Sequence, residues 1–248
     1  MPEHEPVSRH RRALLSAGGA FLLGAALLPA RAQAQTSGKL RVGVIGSGHI
    51  GGTIGGLWVK NGHEVLFSSR HPEELKDLVA GLGANAQAGT VQQAIEVGEV
   101  LFIAVPYAAL PQIGQEYGVG LKGKIMLDAC NAIAPRDGAA LAAEVERDGI
   151  GVVSQKYLPG TRLVRAFNTL NYAIFAREAN RPDPRIAVPI AGDDPEAMKV
   201  AAVLVRDAGF DPVVVGKLAD ASRFQRGAPG YGQAVSAAEL RQKLSLTP

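Results

Sequence analysis

The chain has 248 residues, of which 47% are hydrophobic and 20% are charged, and its formal net charge is +3 at pH 7. This composition is sufficient for one large globular domain with a small appendage. Residues 1–32 hold four of the 26 basic and two of the 23 acidic residues, which leaves 22 and 21 and a net charge of +1 for the rest. A balance this even leaves no basic face, so we expect no nucleic-acid partner.

The first 32 residues have the three zones of an export signal. Basic residues at 9–12 precede an apolar run at 13–28, and small residues follow at Ala30 and Ala32. We expect cleavage after Ala32, with Ala34 as the second choice. The apolar run is too short, and too rich in Gly and Ala, to span a bilayer comfortably. We therefore expect no stable membrane insertion once the signal is removed.

The pair Arg11-Arg12, followed by Ala13-Leu14-Leu15, resembles the twin-arginine export signal. This machinery moves folded proteins, so a cofactor can be bound in the cytoplasm and carried out with the chain. The sequence therefore predicts a periplasmic product and the twin-arginine machinery as a partner. The alternative is an amphipathic helix that lies on a membrane.

After a polar linker at 33–39, apolar runs alternate with helical patterns along the chain. Most runs are continuous, which is typical of parallel strands buried on both faces. The predicted strands are 41–45, 64–68, 100–105, 124–129, 163–167, 186–190 and 212–215. The predicted helices are 50–60, 72–80, 91–97, 139–147 and 195–207, with a short last helix after a capping box at Ser236. This order predicts a doubly wound α/β, Rossmann-like domain over 40–225 and a short C-terminal extension over 226–248.

Gly46-Ser47-Gly48-His49-Ile50-Gly51 is a G-x-G-x-x-G motif between the predicted strand 41–45 and the predicted helix 50–60. Gly46 permits a tight turn, Gly48 lets the backbone approach a pyrophosphate, and Gly51 permits close packing of helix on strand. The free N–H groups at the helix start attract phosphates. The motif therefore predicts a dinucleotide site rather than a glycine-rich turn alone.

The end of the predicted second strand indicates which dinucleotide binds. An NAD site has Asp or Glu there, whose carboxylate binds the ribose 2′-hydroxyl. This chain has Phe67-Ser68-Ser69-Arg70 instead. Ser69 offers a hydroxyl and Arg70 a planar guanidinium suited to a phosphate, so we expect NADP(H). The alternative is that Arg70 is a solvated surface residue and that the site accepts either cofactor.

Further segments occur in the order expected of one family. They are Ala104-Val105-Pro106-Tyr107, Ala166-Phe167-Asn168-Thr169, Ala191-Gly192-Asp193-Asp194 and Ala208-Gly209-Phe210-Asp211-Pro212-Val213. With residues 46–70 they make the chain similar, over about residues 40–225, to the NADP oxidoreductases that depend on coenzyme F420, a deazaflavin. The same fold is similar to the nucleotide domain of six-transmembrane ferric reductases.

The resemblance implies that hydride passes directly between NADPH and a second planar cofactor stacked on the nicotinamide, without a catalytic acid, base or nucleophile. It also implies that Ser47, His49 and Ile50 lie at the phosphates, and that Ser69 and Arg70 lie at the 2′-phosphate. His49 stands where the family often has Asn, so its imidazole either covers the diphosphate or faces solvent.

At the other end of the cofactor, the resemblance places Val105 and Pro106 along the path from adenosine to nicotinamide. Asn131 and Asn168 would approach the nicotinamide itself, although Asn168 is equally suited to hydrogen-bonding its own turn. The glycine-rich and then polar tail 226–248 departs from the apolar helical end that helps to form the deazaflavin pocket in the family. The second substrate is therefore left open.

Other enzyme classes fit the sequence poorly. None of the five tyrosines has Lys four residues later, which excludes a short-chain dehydrogenase. The residues after Asn168 show helix–strand units rather than the all-helical domain of hydroxyacid dehydrogenases and imine reductases. Cys130 is alone and no Cys/His cluster has metal-ligand spacing, so we expect neither a disulfide nor a metal.

The sequence thus predicts an NADP(H)-dependent oxidoreductase that passes hydride between NADPH and a flavin-like, deazaflavin or other small redox acceptor. The alternative is a non-catalytic NADP(H)-binding sensor or partner protein. No residue is predicted as a catalytic acid, base or nucleophile, and a homodimer is compatible with either function.

Overall fold

A computed structural model describes residues 38–246. The predicted export signal (1–32) lies outside the described residues, as do most of the linker (33–39) and the last two residues. None of the helices within 38–246 is long and apolar enough to cross a membrane.

The described residues form one eight-stranded sheet. In chain order its strands are β1 (Arg41–Ile45), β2 (Glu64–Ser68), β3 (Ala86–Gly89), β4 (Val100–Ile103), β5 (Ile125–Asp128), β6 (Arg162–Arg165), β7 (Ala187–Gly192) and β8 (Asp211–Gly216). Across the sheet they run β3-β2-β1-β4-β5-β6-β7-β8. The order reverses next to β1, between β1 and β4, which is where ligands bind in open α/β sheets.

The first six strands pair in parallel, as the continuous apolar runs predict. The expectation of a parallel sheet is wrong for β7, which pairs antiparallel with β6 and parallel with β8. Strand β7 begins beyond the carboxyl end of β6 and runs back beside it, with Arg165 opposite Ala191 and Val164 opposite Gly192. All six residues of β7 are buried. An apolar run that is buried on both faces has the same pattern in either direction, so the sequence does not reveal this reversal.

Helices cover both faces of the sheet. They are α1 (His49–Lys60), α2 (Lys76–Leu82), α3 (Val91–Val97), α4 (Leu110–Leu121), α5 (Ala134–Asp137), α6 (Ala139–Asp148), α7 (Ile150–Tyr157), α8 (Tyr172–Glu178), α9 (Pro195–Asp207) and α10 (Ala237–Lys243), with 3-10 turns at Pro72–Leu75, Tyr107–Ala109 and Leu218–Phe224. The doubly wound fold is confirmed.

Consecutive residues of a strand point to opposite faces, and this divides the apolar core into two clusters. Val100 and Phe102 of β4 belong to one cluster and Leu101 and Ile103 to the other. The first cluster contains Trp58, which is fully buried and donates a hydrogen bond from Nε1 to the Leu204 carbonyl at 2.7 Å. Trp58 is therefore a packing residue, and its polar N–H is satisfied.

Four helices and one strand are not predicted by the sequence patterns: α4, α5, α7, α8 and β3. Helix α4 begins with Leu110-Pro111 and contains glycine at 114, 118 and 120, which lowers its helix propensity. Gly114 is required there, since a Cβ atom would lie 1.8 Å from the Tyr157 carbonyl oxygen of α7. Strand β3 lacks β-branched residues and is an exposed edge.

The C-terminal extension packs on the second core cluster. Leu240 of α10 and Leu244 are buried in it, and the Ala187 N–H donates to the Val235 carbonyl at 2.8 Å. The capping box predicted at Ser236 is present, with Glu239 as its acidic partner. Helix α10 thereby anchors the loop before it, in which Tyr231 lines a cleft and the Gly232 N–H donates to the Thr169 carbonyl at 2.9 Å.

Candidate dinucleotide site

The turn after β1 carries the glycine motif. Gly46 has a φ of +93°, and a Cβ atom there would lie 2.5 Å from Val105 Cγ1. Both facts require glycine. A Cβ on Gly51 would lie 2.0 Å from the Gly46 carbonyl oxygen, so Gly51 sets how closely α1 approaches the turn. These two glycines are needed by the protein's own packing.

Gly48 differs from its neighbours in the motif. It is the N-cap of α1 and no side chain caps it, and no protein atom lies within 4 Å of where its Cβ would be. The N-terminus of α1 therefore opens onto free space with its amide groups available. A helix N-terminus of this kind attracts a phosphate group.

A first cleft of about 750 Å³ lies on the β2 side of this turn. At its polar end, the end of β2 presents Ser69 and the exposed Arg70. Ser47 donates its hydroxyl to the Ser68 carbonyl at 3.0 Å, which ties the motif to that strand end. No hydrogen bond or ion pair joins the Arg70 side chain to another residue within 38–246, so its donors are free for a ligand.

A second cleft of about 400 Å³ lies on the β5 and β6 side. Its lining includes His49, Ile50, Cys130, Asn131, Arg136, Asn168, Tyr172 and Tyr231. The two clefts share Ala104, Val105 and Pro106, the three residues after β4. They therefore form one continuous groove that crosses the carboxyl ends of the strands and passes the N-terminus of α1.

Asn131 and Asn168 are joined at the far end of the second cleft. Asn131 Nδ2 donates to the Asn168 carbonyl at 2.7 Å, and Asn168 Nδ2 donates to the Phe224 carbonyl at 3.3 Å. Asn168 is 2% exposed, and its Oδ1 has no hydrogen-bond partner in the described structure. A buried oxygen without a donor is costly, so a ligand donor in the cleft would be bound there favourably.

The backbone before Asn168 adopts an unusual conformation. Phe167 has a φ of +59°, in a region that few residues other than glycine adopt, and its side chain is fully buried. Its ring packs edge-on against Trp58, Phe102, Phe175 and Phe210. This packing holds the left-handed turn that directs Asn168 towards Asn131, and such strain is common at functional sites.

His49 and Tyr172 stack at the mouth of the second cleft, with ring centroids 4.2 Å apart and planes 10° apart. His49 is the first residue of α1 and Tyr172 the first of α8. His49 is exposed to solvent in the structure, which agrees with the second of its two expected positions, and its ring lies on Tyr172. This stack fixes the side chain nearest to the α1 N-terminus.

A buried polar network lies beneath the second cleft. Arg165 forms an ion pair with Asp128 and donates from Nη2 to the Cys130 carbonyl at 2.5 Å. Tyr107 donates to the Ile150 carbonyl at 3.2 Å and lies 3.0 Å from Ser154 Oγ. Asp128 is the last residue of β5 and supports the cleft through this pair.

None of these buried groups is prepared for proton transfer or nucleophilic attack. Burial, and then the nearby Asp128 charge, raise the pKa of the Tyr107 hydroxyl and that of the Cys130 thiol. Both groups therefore stay protonated at neutral pH, and Cys130 is a buried core residue. Within 38–246 no group of three or more His, Cys, Asp or Glu side chains could hold a metal ion.

The groove brings together the predicted site residues. Gly46, Ser47, Gly48, Ser69 and Arg70 line the first cleft, His49, Ile50, Asn131 and Asn168 line the second, and Val105 and Pro106 line both. Gly51 lies behind the turn. The sequence reasoning missed Arg136, Tyr172 and Tyr231, which line the second cleft. Only Arg136 had a usable signal, because it follows a strand end within a few residues of Asn131.

The groove fits a dinucleotide on features of its own. The open position at Gly48 leaves room for a pyrophosphate, the free guanidinium of Arg70 suits a 2′-phosphate, and the unpartnered oxygen of Asn168 suits an amide donor. Residues 104–106 line both clefts and so connect the Arg70 end of the groove with the Asn168 end.

Comparisons with known proteins agree with this geometry. Residues 41–132 match the family described as NADP oxidoreductase, coenzyme F420-dependent. Metalloreductase STEAP3 of Rattus norvegicus is 29% identical over 192 residues, which make up 75% of this chain and 36% of that protein. The chain spans about a third of the length of the curated relatives it matches.

Solved structures share the fold. A hypothetical protein of Sinorhizobium meliloti has a TM-score of 0.69 and 26% identity, over 80% of this chain and 95% of that one. A proposed F420-dependent NADP reductase of Arthrobacter sp. FB24 has a TM-score of 0.63 and 22% identity, over 74% of this chain and 87% of that one. At 22% identity the second likeness shows the fold alone.

Proposed function

Because residues 41–132 match the family described as NADP oxidoreductase, coenzyme F420-dependent, we propose that the protein transfers hydride between NADPH and a flavin-like, deazaflavin or other small redox acceptor. One observation carries this proposal. A single groove runs from the free guanidinium of Arg70, past the open N-terminus of α1 at Gly48, to the unpartnered Oδ1 of Asn168.

In this proposal the first cleft holds the adenosine half of NADP(H). Arg70 and Ser69 bind the 2′-phosphate, where a fork of N–H donors fits a phosphate better than a carboxylate would. The amide groups at the start of α1 bind the pyrophosphate, and Ser47 keeps that turn against β2.

The second cleft then holds the nicotinamide half. Asn168 Oδ1 accepts a hydrogen bond from the carboxamide group, and Asn131 holds Asn168 in place. Val105 and Pro106 form the wall between the two halves and exclude water from one side of the ring. Bound NADPH supplies a hydride, and an oxidised flavin-like acceptor takes it up together with one proton from solvent.

The lining of the second cleft suits direct hydride transfer between two bound rings. Such a transfer depends on proximity and orientation of the two rings rather than on proton abstraction. The residues around the second cleft accordingly orient ligands: the Asn131–Asn168 pair, the His49–Tyr172 stack and the wall at Val105.

A direct experiment tests the proposal. Purified protein is mixed with NADPH and, in turn, with riboflavin, FMN, a 5-deazaflavin and a ferric chelate. NADPH oxidation is followed by absorbance under anaerobic conditions. Oxidation of NADPH coupled to reduction of one acceptor supports the proposal. Tight NADPH binding with no oxidation across the panel would instead favour the alternative, a nucleotide-binding sensor or partner protein.

We also propose that the protein is exported to the periplasm by the twin-arginine machinery. The support is the Arg11-Arg12 pair ahead of an apolar run and of small residues at Ala30 and Ala32. Export of a folded chain allows NADP(H) to be bound before transport. A nucleotide that stays bound through purification of the exported protein would agree with this order of events.

A further inference from the structure

Arg136 carries the only permanent charge among the described residues that line the second cleft. Every other lining residue is apolar or uncharged, apart from the imidazole of His49. No lining carboxylate opposes the guanidinium across the cleft. The one permanently charged group that reaches the surface of this half of the groove is therefore a cation.

The Arg136 side chain is held in place by four contacts. Its Nη2 donates to the Asn131 carbonyl at 2.8 Å, and its Nε and Nη2 donate to the Asp137 carboxylate at 2.8 to 3.2 Å. Asp137 in turn accepts from the backbone N–H of Ile133 at 2.8 Å and of Ala108 at 3.2 Å. A guanidinium fixed in this way loses little conformational entropy when a ligand binds.

The two charges of this pair are not equally accessible. The Asp137 side chain is completely buried, whereas the Arg136 side chain is 44% exposed. Two backbone N–H groups share the carboxylate, so the end of the pair that faces the cleft is positive. The Nη1 of Arg136 donates to no other residue of the described structure and remains available.

A second Arg–Asp pair in the chain serves as an internal comparison. Arg147 and Asp148 are also adjacent in sequence and are joined at 2.7 Å, but both are exposed, at 69% and 38%. They lie at the end of α6 and line neither cleft. The arrangement at Arg136 differs in that its carboxylate is buried and accepts hydrogen bonds from two backbone N–H groups.

We propose that the acceptor bound in the second cleft carries an anionic group and that Arg136 binds it. This inference rests on the proposed function, because it concerns the substrate that faces the nicotinamide. A phosphate or carboxylate on the acceptor would receive a charge-assisted hydrogen bond from Nη1. A neutral acceptor with the same ring would leave that donor to water.

The test compares FMN with riboflavin, which share the ring that accepts hydride and differ in the 5′-phosphate. Their binding to the complex of the protein with NADP⁺ is measured by flavin fluorescence, and their reduction by NADPH is measured in parallel. A charge-assisted bond from a half-exposed guanidinium predicts that FMN binds roughly tenfold more tightly than riboflavin. Arg136→Gln removes that difference, and Arg147→Gln, the matched control, keeps it. Added salt weakens FMN binding and leaves riboflavin unchanged.

Two results would overturn the inference. Equal binding of FMN and riboflavin to the unmodified protein would show that no anion is recognised. An Arg136→Gln variant that binds NADP⁺ itself about tenfold more weakly, with the flavin preference intact, would assign Arg136 to the pyrophosphate instead. Failure of the proposed function has a different signature: NADPH is not oxidised with any acceptor, while the binding comparison of the two flavins still decides the role of Arg136.

Discussion

Asp128 and Arg165 face each other across neighbouring strands β5 and β6 and form an ion pair in which neither side chain is exposed. Asp128 Oδ1 also accepts from the Cys130 N–H at 2.8 Å, and Arg165 donates to the Cys130 carbonyl. Both partners therefore hold the residue that precedes Asn131. The pair lies beneath the second cleft and connects the stability of the sheet to the position of Asn131 in that cleft.

Replacing Arg165 with Met should destabilise the fold strongly, because it leaves the Asp128 carboxylate buried without a cation. The expected loss is about 3–5 kcal/mol in the free energy of unfolding, measured by urea denaturation. The double variant Asp128→Asn with Arg165→Met keeps the acceptor for Cys130 and removes the charge, so it should recover much of the loss. A double variant as unstable as the single one would show that the packing volume of Arg165, rather than its charge, matters. Arg147→Met, in an exposed pair, should leave stability unchanged.

Arg70 decides the preference for NADP(H) if it binds the 2′-phosphate. Arg70→Ala should weaken NADPH binding roughly ten- to hundredfold, the range expected for loss of hydrogen bonds to a charged group, and leave NADH binding nearly unchanged. Titration calorimetry with both cofactors measures this. Arg206→Ala, which removes an exposed arginine from α9, is the control. Equal losses for NADPH and NADH would contradict a role in binding the 2′-phosphate.

The stack of Tyr172 on His49 should contribute to cofactor binding through its aromatic face. Tyr172→Ala should weaken NADPH binding about two- to tenfold, because a stacked aromatic pair contributes about 0.5–1.5 kcal/mol beyond its buried area. Tyr172→Phe keeps the ring and should bind NADPH as the unmodified protein does. If the Phe variant is impaired as much as the Ala variant, the hydroxyl group is responsible and the stack is not.

Export by the twin-arginine route depends on the arginine pair itself rather than on its charge. The double substitution Arg11→Lys and Arg12→Lys should therefore leave the precursor in the cytoplasm, as measured by cell fractionation. The control is Arg9→Lys, which makes the same conservative change outside the pair. Unchanged export of the double variant would remove this route for the protein.

The glycine motif and the end of β2 could be located from sequence because each depends on a local rule. Gly46 needs a positive φ, and Ser69-Arg70 follow directly after a run of five strand residues. The walls of the second cleft depend on contacts between distant segments. Tyr172 reaches His49 across 123 positions only because α8 packs on α1. No pattern within a short window contains that information.

The burial of the charged side chain of Arg165 also could not be predicted from the sequence patterns. Arg165 lies in a strand that reads as Arg-Leu-Val-Arg, and an arginine there is normally exposed. Its burial follows from the register that sets it opposite Asp128, and register is a property of the assembled sheet. The reversal of β7 has a similar origin, because the apolar runs of parallel and antiparallel strands buried on both faces are alike.

The Arg136–Asp137 pair should make the free energy of unfolding depend on pH in the acid range. Burial alone would raise the pKa of Asp137, but hydrogen bonds from Arg136 and from the Ile133 and Ala108 amides outweigh it and lower the pKa below the usual 3.8. A carboxyl with a lowered folded pKa stabilises the fold above its unfolded pKa, and this contribution is lost as pH falls through the folded value. The difference in unfolding free energy between the protein and Asp137→Asn should thus stay constant from pH 7 to about 5 and shrink below about pH 4. Urea denaturation at each pH measures it. A difference that grows as pH falls would mean that Asp137 is protonated more readily in the folded state than in the unfolded chain.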